Sequence, residues 1–130
     1  MAHIPSVSGE TWIYFDVDDT LVIWPPRKDR GFVSDVVIDD PYEPPKRYAL
    51  KKHIRHIEEL KEFKTNPKCK VVVWSRGGKP WAEEVIKALG LEAYVDFIIQ
   101  KPDITYDDEH QKYWFPMTPR WRKDEGKGSD

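Results

Sequence analysis

Three features of the chain predict an α/β fold with a mostly parallel, Rossmann-like sheet flanked by helices. Two apolar runs, residues 12–15 and 71–74, end abruptly in polar stretches, Asp16-Val17-Asp18-Asp19-Thr20 and Ser75-Arg76-Gly77-Gly78. Continuous apolar runs suit strands buried on both faces, which is the condition of a parallel sheet. The second run is followed by a helical pattern opened by Pro80, as expected where a strand crosses over to a helix.

The 130 residues predict a single domain, large enough for a core but small for a complete α/β enzyme. With 34% charged residues and a net charge of −2, no overall field selects nucleic acid or a membrane surface. The single cysteine, Cys69, excludes an internal disulfide. It begins an apolar run and is expected in the core, in a reducing compartment. No apolar run approaches transmembrane length and no signal-peptide pattern is present, so a soluble, cytoplasmic protein is expected.

Residues 1–10 read as a polar lead-in and residues 11–17 as the first strand. The insertion at 22–45 holds five of the eleven prolines and two short β-prone runs, Phe32-Val33 and Val36-Val37-Ile38, around Ser34-Asp35. A short β-hairpin flap is expected there. Trp24, Arg27, Lys28 and Arg30 in this insertion are candidates for gripping a base or a neighbouring phosphate, and so for setting substrate choice.

Leu50, Ile54, Ile57 and Leu60 recur at helical spacing and predict a helix over 46–64, with His53 and His56 on its surface. A second strand is expected over 70–74. A helix follows from Pro80 with Trp81, Val85 and Leu89 facing the core and Gly90 as its C-terminal cap. A third strand is expected over 95–99 and a minimal fourth over 104–106. The aromatic-basic stretch containing Trp114, Phe115 and Trp121 is expected to wrap back onto the domain, ahead of a disordered end.

Along a strand Asp16 and Asp18 point the same way, and two carboxylates at a sheet mouth suit a hard cation such as Mg²⁺. At the second mouth, glycines after Ser75 let backbone N–H groups approach an anion, and the helix start adds partial positive charge. A solvated acidic turn and a plain serine helix cap are the simpler readings of these two stretches.

The Asp16-Val17-Asp18-Asp19-Thr20 pattern resembles motif I of the haloacid dehalogenase-like (HAD) phosphohydrolases, and Ser75 resembles their motif II. Lys101, after the third strand, matches motif III in type and order, and Asp107-Asp108 matches the acidic pair of motif IV. The resemblance spans residues 11–108. It implies a small, minimally capped HAD-like domain with a flap directly after the first strand and a truncated C-terminal part.

The resemblance also implies a phosphatase that requires Mg²⁺. Asp16 would attack phosphorus to form an aspartyl-phosphate. Asp18 would protonate the leaving oxygen and then activate water, a contribution of about 10²–10⁴-fold. Ser75, Arg76, Gly77 and Lys101 would hold the phosphate oxygens. Asp16, the Asp18 carbonyl and Asp108, with Asp107 beside it, would bind the metal. The substrate would be a phosphate monoester, on a small metabolite, a nucleotide or a polynucleotide end. Two other classes use related parts. A receiver-like switch accepts a phosphoryl group on aspartate but orders its acidic residues the other way along the chain, and an inactive HAD-like module would only bind.

Overall fold

In a computed structural model of the protein, residues 9–28 and 31–106 are described. Asp107, Asp108, Arg30 and the aromatic C-terminal segment 109–130 lie outside them. The described chain runs β1 (Thr11–Asp16), β2 (Val22–Ile23), β3 (Val36–Asp39), β4 (Arg47–Lys52), α1 (Ile54–Phe63), β5 (Cys69–Ser75), α2 (Lys79–Leu89), a 3₁₀ turn (Glu92–Tyr94) and β6 (Phe97–Gln100).

The main sheet has the order β1-β5-β6, and both pairings are parallel. Asp16 pairs with Trp74, and Ser75 with Gln100, so the three strands end together along one edge. Alternation along the strands sends Phe15, Val71 and Val73 to one face, where they meet Ile57 and Leu60 of α1 and Trp81, Val85 and Ile86 of α2 in one buried cluster. Burying side chains of this size contributes about 1.5–3 kcal/mol each. That burial, rather than intrinsic propensity, accounts for a helix as short as the ten-residue α1. The opposite face carries Trp12 stacked on Phe97 and Tyr14 tilted against Trp74, with Trp12, Tyr14 and Phe97 all exposed.

A second, antiparallel sheet of order β2-β4-β3 forms the flap. Its hairpin joins β3 to β4 through residues 40–46, not around Ser34-Asp35 as the β-prone runs suggested. Phe32 and Val33 lie outside any strand. The turn is organised by Asp40, whose Oδ1 accepts from the backbone N–H groups of Tyr42 (2.7 Å) and Glu43 (3.1 Å) and whose Oδ2 accepts from the Tyr48 hydroxyl (2.7 Å). The Tyr48 bond, followed by the turn amides, holds the Asp40 carboxyl below the usual aspartate range.

The helix expected over 46–64 is in fact a strand followed by a helix. Residues 47–52 pair on both sides, with β3 and with β2, and Leu50 is fully buried within the flap sheet. The helical spacing from Leu50 to Ile54 is coincidental, since Ile54 is 49% exposed, and the buried face of α1 is His56, Ile57 and Leu60. His53 and His56 are correspondingly interior, not surface, residues. His53 caps α1, its Nδ1 accepting from the His56 backbone N–H at 3.2 Å, and the two rings stack 3.6 Å apart. The His53 N–H donates to the Leu21 carbonyl (3.0 Å), and His56 Nδ1 lies 2.8 Å from the Thr20 carbonyl, which requires the proton on that nitrogen. The start of α1 thus anchors the loop that follows β1.

Two smaller differences concern the end of the described chain. The third main-sheet strand begins at Phe97 because residues 92–94 form a 3₁₀ turn. Residues 104–106 form no strand, and Ile104 and Tyr106 are exposed. Two expectations are met directly: Cys69 is buried at the start of β5, and Gly90 caps α2 in the left-handed conformation.

Candidate active site

The common edge of the parallel sheet gathers residues from three separate stretches of sequence. Asp16 ends β1, Ser75 ends β5, and Lys101 follows β6. The Ser75 carbonyl ties two of these stretches together, accepting from the N–H groups of Lys101 (2.9 Å) and Gly78 (3.1 Å). The Lys101 ammonium then lies 3.8 Å from Asp16 Oδ2. Partial burial pushes the Asp16 carboxyl above its ordinary value; Lys101 and the Val17 amide oppose the shift, and nearby Asp18 adds to it. Arg76 is exposed at the same edge and near enough to act on Asp16 electrostatically.

The loop after β1 is wound tightly. Thr20, Leu21 and Val22 all direct their N–H groups at the Val17 carbonyl (2.9–3.2 Å), and Asp19 adopts a positive φ of 58°. Aspartate is one of the few side-chain-bearing residues that tolerates that conformation. Asp19 Oδ1 accepts from the Trp24 backbone N–H at 3.1 Å, fixing the entry to the flap.

Asp18 accepts three side-chain hydrogen bonds from three separate parts of the chain. Its Oδ1 accepts from the indole N–H groups of both Trp24 (2.8 Å) and Trp81 (3.1 Å), while Oδ2 lies 3.3 Å from the Ser75 hydroxyl. The Ser75 oxygen in turn accepts from the Gly77 N–H at 2.9 Å. The two tryptophan rings, with centroids 6.0 Å apart, both pack against Tyr48 of β4.

Between β5 and α2 the chain turns through Gly77 and Gly78. Gly78 has φ 96° and ψ 163°, a region essentially restricted to glycine. A Cβ on Gly77 would fall 2.8 Å from Trp81 Cδ1 and 3.2 Å from Ser75 Oγ. No side chain caps α2, so its first turn presents backbone donors and the positive end of the helix dipole. From the flap, the Tyr42 hydroxyl reaches across to donate to the Gly77 carbonyl at 2.6 Å.

Of the residues singled out from sequence, Asp16, Asp18, Ser75, Arg76, Gly77 and Lys101 therefore come together, and Asp107 and Asp108 lie outside the described residues. Among the described residues no group of three or more His, Cys, Asp or Glu side chains is arranged to hold a metal ion. The donors present are hard oxygens, which suit Mg²⁺ in kind. Sequence reasoning missed Trp81, Tyr42, Tyr48 and Asp40, and it assigned Trp24 to substrate rather than to Asp18. The available signal was Trp81 itself: a tryptophan in the first turn of a helix that leaves a glycine turn needs a partner for its buried N–H.

The fold and site define an α/β domain with an acidic, lysine-bearing strand edge partly covered by an antiparallel flap. Comparison with protein-family models, with curated proteins and with solved structures found no match. Among the described residues no helix is long and apolar enough to cross a membrane.

Proposed function

We propose that the protein is a Mg²⁺-dependent phosphatase of the HAD-like type, hydrolysing phosphate monoesters through an aspartyl-phosphate on Asp16. The observation that carries this reading is the juxtaposition of Asp16 with Lys101 at 3.8 Å, beside Ser75 and Asp18 at 3.3 Å, along one edge of a parallel sheet. A phosphate dianion repels an attacking carboxylate, so the site must supply positive charge and aligned donors. Lys101, Arg76 and the uncapped start of α2 supply them from the chain. Bound at Asp16, the Asp18 carbonyl and the acidic pair at 107–108, Mg²⁺ would further neutralise the phosphate charge.

Asp16 is partly stripped of water, which leaves its oxygens less solvent to shed before attack. Its oxygen forms the bond to phosphorus as the ester oxygen departs, and Asp18 gives that oxygen a proton. Water then attacks the aspartyl-phosphate, Asp18 takes the water's proton, and inorganic phosphate leaves. The test is turnover of p-nitrophenyl phosphate with Mg²⁺, lost in EDTA and in Asp16→Asn. A folded protein that shows no turnover with any monoester in a phosphorylated-metabolite and polynucleotide-end screen would refute the reading and leave the switch or binding-module alternatives.

A further inference from the structure

Proton transfer by a carboxylate needs one oxygen aimed at the reacting bond, and that requires the group to be held by its other oxygen. In Asp18 the division is visible. Oδ1 takes both indole N–H groups, at 2.8 Å from Trp24 and 3.1 Å from Trp81, and Oδ2 accepts from the Ser75 hydroxyl at 3.3 Å, a rotatable group that can equally accept a proton carried on Oδ2. The donors come from two separate parts of the chain: Trp24 follows β2 in the flap, and Trp81 lies in the first turn of α2, only 6% exposed. Each indole N–H needs a partner, and both are spent on the same oxygen of Asp18. Indole is also a donor without an acceptor, so neither ring can take up the proton that Asp18 must carry.

We propose that Trp24 and Trp81 are positioning residues that clamp Asp18 Oδ1, so that Oδ2 alone carries the proton and the flap forms part of the proton-transfer apparatus. The proposal rests on the phosphatase reading above. In the first step the Asp16–phosphorus bond forms, the phosphorus–ester oxygen bond breaks, and the proton on Oδ2 passes to the departing oxygen. Asp18 is left as a carboxylate, and the two N–H bonds to Oδ1 become charge-assisted. They therefore strengthen along the reaction, the condition under which a hydrogen bond contributes to rate rather than to substrate binding. In the second step Oδ2 regains a proton from the attacking water, while the Asp16–phosphorus bond breaks. Trp24 thus has a role distinct from gripping a base.

The test exploits leaving-group chemistry. A p-nitrophenolate departs with little help from an acid, whereas the alkoxide of glycerol 2-phosphate needs the proton. kcat/KM reports only the steps through aspartyl-phosphate formation, so the later use of Asp18 as a base does not enter. Both esters are measured with wild type, Trp24→Phe, Trp81→Phe and Asp18→Asn, each checked for folding by circular dichroism. Phenylalanine keeps a ring and removes the N–H. In each Trp→Phe variant, kcat/KM for glycerol 2-phosphate is expected to fall about tenfold more than for p-nitrophenyl phosphate, with a larger split of the same sign in Asp18→Asn. Equal losses on the two esters in folded Trp→Phe variants, beside a clear split in Asp18→Asn, overturn the clamp and leave the phosphatase reading standing. Trp24→Phe decides alone if Trp81→Phe does not fold. No split in Asp18→Asn removes the acid role and the clamp with it, and no wild-type turnover overturns both readings.

Discussion

At the tip of the flap the Tyr42 hydroxyl meets the turn between β5 and α2, and that contact can be isolated. Gly78 adopts φ 96° and ψ 163°, and a Cβ added there would collide with the Tyr42 hydroxyl. Gly78→Ala therefore carries two costs. Forcing alanine into this backbone region costs about 1–3 kcal/mol. The collision can be relieved either by overpacking, at about 1–3 kcal/mol, or by swinging Tyr42 outward. Tyr42 is 58% exposed, so the swing forfeits only its bond to the Gly77 carbonyl, net about 0.5–1.5 kcal/mol. The swing is cheaper, and Gly78→Ala should release the flap tip for a total loss of about 1.5–4.5 kcal/mol. In a Tyr42→Phe background the hydroxyl is gone and the nearest Tyr42 atom to the new Cβ is Cζ at 3.6 Å, an ordinary contact. There Gly78→Ala should cost only the backbone term. Urea denaturation of the four proteins gives the coupling directly, expected at about 0.5–1.5 kcal/mol. A coupling within about 0.3 kcal/mol of zero would refute the docking of Tyr42 on this loop, and a stability-neutral Gly78→Ala would refute the backbone conformation itself.

Two further predictions concern the acidic groups. Burial raises the Asp16 carboxyl above its unfolded value, so its ionisation opposes folding; the opposition is absent below the unfolded value and develops as pH rises through the folded one. Asp16→Asn should therefore lose all turnover yet unfold at the same or higher urea concentration at neutral pH, an advantage that shrinks towards the unfolded aspartate value of about 3.9. For the acidic pair, the proposed reading takes Asp108 as the direct ligand, so titration of Mg²⁺ against rate should show a larger rise in the half-saturating concentration for Asp108→Ala than for Asp107→Ala. The reverse order would place the ligand one residue earlier.

The parallel sheet was legible because its signals are local. Val71, Val72 and Val73 form a run that can only be buried, and Gly90 stops α2 where its pattern ends. The edge residues were legible because each follows its strand directly, so naming the strands placed Asp16, Ser75 and Lys101 together. A β-hairpin after the first strand was legible, but neither its register nor its extent beyond residue 45 was. Leu50 stands four residues before Ile54 and mimics a helical stripe, while residues 47–52 are claimed by backbone pairing with partners on both sides, which no local pattern records. The histidines were misplaced for the same reason: once the helix begins at Ile54, His53 becomes its cap and His56 turns inward. The tryptophan N–H groups on Asp18 were out of reach of sequence, because residues 18, 24 and 81 meet only after the flap and α2 have both docked.

The central claim is that Asp16 becomes covalently phosphorylated during turnover. Protein mixed with Mg²⁺ and excess p-nitrophenyl phosphate, quenched in acid and digested, can be read by mass spectrometry for a phosphoryl adduct on the peptide carrying Asp16-Val17-Asp18-Asp19. The account predicts an adduct located on Asp16, absent from Asp16→Asn and from a sample quenched in EDTA before substrate is added. Turnover with no adduct on Asp16, or with the adduct on Asp18, Asp19 or Ser75, would contradict it.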